Sequence, residues 1–128
     1  MSTRRIHSGG PWEERFGYCR AVVVDRQVWV SGCTAMDAGD AAAQTRAAFG
    51  VALDALVRAG GAPENVVRTR MYVVNLSDAE AVATTHGEIF AAHPPASSLV
   101  VVAALLEPGM LVEVELEAHL DADVGHVE

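Results

Sequence analysis

The sequence is short of aromatic side chains, cysteine and positive charge, and each shortage removes a class of explanation. Aromatic residues make up 5% of the 128 residues while hydrophobic residues reach 51%, so Ala and Val rather than rings must fill the interior. Cys19 and Cys33 are the only cysteines, which is no disulfide framework. If the strands flanking Asp25 and Arg26 pair as a hairpin, the two thiols sit one register step apart on opposite faces, and no bridge is expected. Lys and Arg number nine against 17 acidic residues, a formal charge of −8. Phosphate backbones and anionic membranes are bound by clustered cations, so neither nucleic acid nor membrane is an expected partner. The N-terminus lacks the apolar core of a signal peptide and no segment approaches the ~20 apolar residues of a membrane span, which makes the cytoplasm the expected location.

Metal-ligand spacing is missing too. His86 and His93 lie seven apart, His7, His119 and His126 are scattered, and neither cysteine has a C-x-x-C partner, so no metal site is expected. Gly60 and Gly61 follow a helix pattern rather than a strand, which is the wrong context for a phosphate loop.

What is present is strand pattern of two kinds. Leu99 to Leu106 is an unbroken apolar run rich in β-branched residues, and as one strand it needs both faces kept from water. After a turn at Glu107, Pro108 and Gly109, Val112, Val114, Leu116 and Ala118 alternate with Glu113, Glu115, Glu117 and His119. That strand has a core face and a row of carboxylates.

The chain reads as a single domain spanning 1–128, with an arm or loop at 1–16 anchored by Trp12 and Phe16, and a dispensable tail at 121–128. Ala21–Val24 and Val28–Cys33 form the hairpin around Asp25 and Arg26. Asp40 caps a helix through Ala59 whose inner stripe is Phe49, Ala52, Leu53, Leu56 and Val57. Val66 to Asn75 is a strand with Val67, Thr69, Met71 and Val73 on one side and Arg68, Arg70, Tyr72 and Val74 on the other. Ser77 and Glu80 make a capping box for a second helix, Asp78 to about Ala92, with Val82, His86, Ile89 and Phe90 facing inward.

The order β-β-α-β-α-β-β predicts an α+β fold, a mostly antiparallel sheet with two helices packed on one face. Two helices leave the other face bare, although the Leu99 strand is apolar on both sides. Copies packing their open faces together resolve this, and a homo-oligomer is expected. Of the carboxylates, Glu115 and Glu117 read as a charged ladder against Arg68 and Arg70. Glu113, at the strand start beside the oligomer contact, is equally suited to activating a water molecule. Ser31, Cys33, Ser97 and Ser98 all fall at strand ends where a pocket can open, without the arrangement of a nucleophilic triad.

Gly17–Val22 (GYCRAV), Trp29–Gly32 (WVSG), Ala41–Phe49 (AAAQTRAAF), the Gly61–Val73 stretch ending VVRTRMYV, His93–Val102 (HPPASSLVVV) and Met110–Glu115 (MLVEVE) together resemble the Rid family, the YjgF-type reactive intermediate deaminases. The match runs in order from Gly17 to His119. The resemblance implies a chorismate-mutase-like fold and a homotrimeric barrel with ligand pockets in the clefts between subunits. It also implies cofactor-free hydrolysis of enamines or imines, such as 2-aminoacrylate, to a carbonyl compound and ammonia. Carried over by position, Glu113 matches the glutamate that holds the attacking water, Tyr18 the pocket tyrosine, and Ser31 and Gly32 the strand-end wall; the backbone near Cys33 would orient the substrate.

One departure stands out. Where the resemblance calls for a substrate-clamping arginine after Pro95 and Ala96, the chain has Ser97 and Ser98. Leu99 replaces a Cys or Thr, Ala83 a pocket asparagine, and the Thr34–Gly39 loop is short. Losing a bidentate Arg–carboxylate contact lowers affinity about ten- to a hundredfold. Either Arg20 or Arg70 supplies the charge, or the ligand is neutral and larger and suits Ser97, Ser98 and Leu99. A non-catalytic ligand-binding or regulatory trimer is the alternative; RNA cleavage is disfavoured by the charge of −8.

Overall fold

The computed structural model describes residues 2–122. Val112, Val114, Leu116 and Ala118 are buried and Glu113, Glu115 and Glu117 are half-buried, so β6 (Val112–His119) has the two faces its alternation demands. It lies between β3 (Gln27–Cys33) and β4 (Val66–Val73), antiparallel to both. β2 (Ala21–Val24) and β1 (Thr3–Ile6) extend the sheet on one side and β5 (Ala96–Val101) on the other, giving the order β1-β2-β3-β6-β4-β5. Every pairing is antiparallel except β4 with β5.

Two helices, α2 (Ala41–Arg58) and α3 (Ala79–Phe90), cover one face. Asp40 caps α2 by accepting from the Ala43 N–H at 2.9 Å, and Phe49, Ala52 and Leu56 bury their side chains. Buried Gln44 stitches two loops together: Nε2 donates to the carbonyls of Gly39 (3.0 Å) and Gly109 (3.1 Å), and Oε1 accepts from the Leu111 N–H (3.0 Å). The loops that close the ends of β3 and open β6 are thereby fixed to one helix.

The N-terminal segment departs from the loop expectation. Thr3–Ile6 pairs with β2 along an edge that would otherwise leave unpaired amides, and Ile6 enters the core. Pro11–Phe16 forms a short helix, α1, with Pro11 in its first turn and Gly17 at φ +75° closing it. The Arg4 guanidinium donates to the Ala59 carbonyl (2.8 Å) and that of Arg58 to the His7 carbonyl (3.0 Å), so the arm is tied to the end of α2.

Four further details differ. A register irregularity between Val66 and Arg68 turns Val67 out to solvent, so Val66 rather than Val67 joins Thr69, Met71 and Val73 inside. Val57 also faces solvent. A 3-10 turn at Leu76–Asp78 takes Ser77 out of the cap position, and the expected capping box does not form. The apolar run is not a doubly buried strand in this chain: β5 ends at Val101, sits at the sheet edge, and leaves Val100 46%, Val101 50% and Leu106 76% exposed. At the other end, Asp121 accepts from Arg26 through its carbonyl (2.8 Å) and from Asn65 through its carboxylate (3.2 Å), so the tail is anchored at its first residue; the rest of that tail, 123–128, lies outside the described residues.

Candidate functional site

The site is set by one inserted residue. β3 pairs with β6 at Val30↔Leu116 and again at Cys33↔Val114, so three steps on β3 oppose two on β6. This bulge brings Cys33 to the core side and leaves Gly32 against Glu113, with Ser31 in the same cleft wall. A Cβ on Gly32 would fall 1.9 Å from Glu113 Oε2, so only glycine lets the carboxylate lie against the strand. Burial pushes the Glu113 carboxyl above its ordinary range, neighbouring Glu115 adds to this, and Arg20 opposes it.

A cleft of about 760 Å³ opens there, with Glu113, Ser31, Gly32, Cys33, Tyr18 and Arg20 in its wall. α1, the loop after β3 and the loop before β6 complete it. Arg20 Nη1 donates to the Gly32 carbonyl at 2.7 Å and lies 3.3 Å from Cys33 Sγ, and the guanidinium stands 5.8 Å from the Tyr18 ring centroid. Ser31 Oγ donates to the Cys19 carbonyl at 2.7 Å. The two cysteines are free and buried. Burial pushes the Cys33 thiol up despite Arg20, and its Sγ donates to the Ser31 carbonyl (3.3 Å), so it is a packed thiol rather than a nucleophile.

Glu13 is the residue that the sequence reading missed. It is only 4% exposed, lines the cleft from α1, accepts hydrogen bonds from the Ser8 N–H (3.1 Å) and hydroxyl, and lies 3.7 Å from Arg20 Nη2. Burial works against its charge, but Ser8 and Arg20 outweigh it and hold the carboxyl below its usual range. Glu14 beside it carries the same charge in the sequence, and only the tertiary partners distinguish the two.

Ser97 and Ser98 are not in this cleft. They sit on β5 at the far side of β4, where Ser97 Oγ accepts from Thr69 Oγ1 (2.8 Å), itself 2.8 Å from His86 Nε2, and Ser98 Oγ accepts from Arg68 (2.7 Å). Arg70 is also engaged elsewhere, with Glu117 at 2.8 Å and Glu115 at 3.4 Å, while Tyr72 donates to Glu115 at 2.7 Å. Glu115 and Glu117 therefore belong to a charged ladder on the helix-free face, and Glu113 alone of the row turns into the cleft. Among the described residues no group of three or more His, Cys, Asp or Glu converges as metal ligands, and no helix is long and apolar enough to cross a membrane.

An uncharacterised protein of Streptomyces coelicolor is 39% identical over 127 residues, covering 94% of this chain and 95% of that one. The 3-aminoacrylate deaminase RutC of Acinetobacter baylyi is 32% identical over 110 residues, covering 80% of this chain and 86% of its own. A Mycobacterium tuberculosis structure described as a member of the YjgF/YER057c/UK114 family superposes with a TM-score of 0.89 at 41% identity, covering 93% of this chain and all (100%) of that one. A family model described as Endoribonuclease L-PSP matches residues 13–120, and the chain belongs to that family, the YjgF-type or Rid family.

Proposed function

We propose that the protein is a cofactor-independent deaminase that hydrolyses an enamine or imine to a carbonyl compound and ammonia, in a cleft completed by assembly into a homotrimer. The observation that carries this reading is the placement of Glu113: a half-buried carboxylate of raised pKa, pressed against Gly32 and directed into a cleft with Tyr18. The name of the Acinetobacter baylyi relative, a 3-aminoacrylate deaminase, supports the reaction class.

An enamine first takes a proton from solvent on carbon to become the iminium ion. Glu113 accepts a proton from water as the water oxygen bonds to the C=N carbon, giving a carbinolamine. The same carboxyl returns that proton to nitrogen, the C–N bond breaks as C=O forms, and the hydroxyl proton passes through Glu113 to solvent as ammonia leaves, so that one water is consumed per turnover and the proton taken up on carbon is given back. A pKa drawn toward neutrality suits a group that must both take and give a proton. The chain contains no lysine, so a Schiff base with the protein is not an alternative route.

Assembly is supported by the exposed apolar side chains of β5 and the loop after it, together with Trp29 at 43% exposure on the helix-free face. Packing against another copy covers them and carries Ser97 and Ser98 toward a neighbour's cleft. Replacing Glu113 by Ala should lower ammonia release by at least about a hundredfold with the trimer intact; an unchanged rate removes its role. The second reading, a trimer that binds but does not turn over its ligand, is favoured by Ser97, whose hydroxyl is already taken by Thr69. Assays on freshly generated 2-aminoacrylate and on a neutral cyclic imine separate the two, since activity seen only in Ser97→Arg marks a dormant site.

A further inference from the structure

The charges around the cleft describe its ligand. Glu13, Asp37, Glu107 and Glu113 line it against a single cation, Arg20. That arginine has no free edge: Nη1 is spent on the Gly32 carbonyl, Nη2 faces the Glu13 carboxylate at 3.7 Å, and Nε is buried without a partner and out of reach of solvent. A ligand carboxylate therefore finds no guanidinium fork on this chain's share of the cleft and meets a wall of its own sign there. The remaining wall is mainly apolar, with Trp12, Phe16, Tyr18, Met36, Leu106 and Met110 lining the space; Arg15 already stands 4.9 Å from the Phe16 ring centroid and Arg20 5.8 Å from that of Tyr18, which leaves the Trp12 ring to receive a cation.

We infer that the cleft selects an apolar, carboxylate-free amine or imine in its cationic form. This rests on the reading of the cleft as the reactive site and adds the substrate class. An iminium is also the more electrophilic form of C=N, so the charge that the acidic wall favours is the one that readies carbon for water. The volume of about 760 Å³ accommodates an arylalkyl or branched alkyl group, far more than aminoacrylate requires.

Calorimetric titration of the intact protein with phenethylammonium, phenethyl alcohol and phenylacetate tests this with ligands that cannot react, so the outcome is independent of turnover. The cation should bind at least about tenfold more tightly than the carboxylate, with the alcohol between them. The preference should shrink about two- to fivefold for each of Asp37→Asn and Glu107→Gln, and should also shrink in the unmodified protein as salt rises from about 0.05 M to about 0.5 M. Equal or tighter binding of phenylacetate, no binding of any of the three, or a preference insensitive to both charge removal and salt overturns the inference. Glu113-dependent ammonia release from 2-aminoacrylate alone would keep the deaminase and discard this substrate class.

Discussion

The contact between Gly32 and Glu113 can be perturbed without touching the carboxylate itself. In Gly32→Ala the new methyl falls 1.9 Å from Oε2, 2.9 Å from Cδ and 3.4 Å from Cγ of Glu113, and no other residue lies among its three nearest atoms. Carbon and oxygen need roughly 3.4 Å, so Oε2 must retreat by about 1.5 Å. The retreat is a rotation about the flexible end of one side chain, and off-rotamer strain costs about 1 kcal/mol. Removing a glycine restricts the unfolded chain and offsets roughly 0.4–1 kcal/mol of that. Net stability should hardly move, and the melting temperature should stay within a few degrees. Activity should not be spared, because misplacing a catalytic group by about 1 Å costs on the order of a hundredfold. Ammonia release and thermal melts on Gly32→Ala, Glu113→Ala and the double variant form a cycle. The single alanine at position 32 should lose about two orders of magnitude, and adding it to Glu113→Ala should lose nothing further. A wild-type rate in Gly32→Ala, or an equal further loss in the double variant, refutes the assigned contact.

Three other outcomes follow from the same geometry. The folded-state pKa of Glu113 is raised, so the native chain holds a proton that the unfolded chain has released, and its contribution weakens stability as pH rises through that window. Glu113→Gln should therefore match or exceed the wild-type melting temperature at pH 7 while losing ammonia release, and wild-type rate should rise with pH along the ionisation of this group. Glu13 has the opposite sign: its lowered pKa stabilises the fold above the ordinary carboxylate range, and this is lost as pH falls through the folded value. Glu13→Gln leaves Arg20 without its acidic partner, costs about 3 kcal/mol at neutral pH by thermal melt, and flattens the acid limb of the melting curve. Val101→Asp places a charge on the half-exposed edge strand; size-exclusion with light scattering should show a folded monomer without activity, and a persisting active trimer places the interface elsewhere.

The readable parts of the fold were those with a strong local period. β6 declared its faces through strict alternation, and α2 declared its start at Asp40. β1 did not, because four residues carry no period and its reason for being a strand is the edge of β2. α1 carried its signals, Pro11 and Gly17, but six residues are too few to show a stripe. The apolar run from Leu99 to Leu106 reads as a doubly buried strand, whereas the chain's own fold puts β5 at the sheet edge and leaves Val100 and Val101 half-exposed; only the proposed assembly would cover them. Within the site, Glu113 and Tyr18 were visible from their motifs. The bulge was not: Gly32 marks a close backbone approach, but nothing local says that it is the Glu113 side chain that arrives there. Glu13 was hidden for a related reason, since its burial depends on Ser8 and Arg20 rather than on its own helix.

The position of β6 has a consequence for synthesis. Residues 112–119 are translated after all the other strands, yet they occupy the slot between β3 and β4. A nascent chain lacking them holds two half-sheets, each with an open seam where the ladder should continue, and no stretch of Glu-bearing strand to complete the cleft. The ribosome must release this segment before either seam can close, so the protein folds only once nearly all of the described chain has emerged, and stalled products shortened before Val112 are substrates for proteolysis.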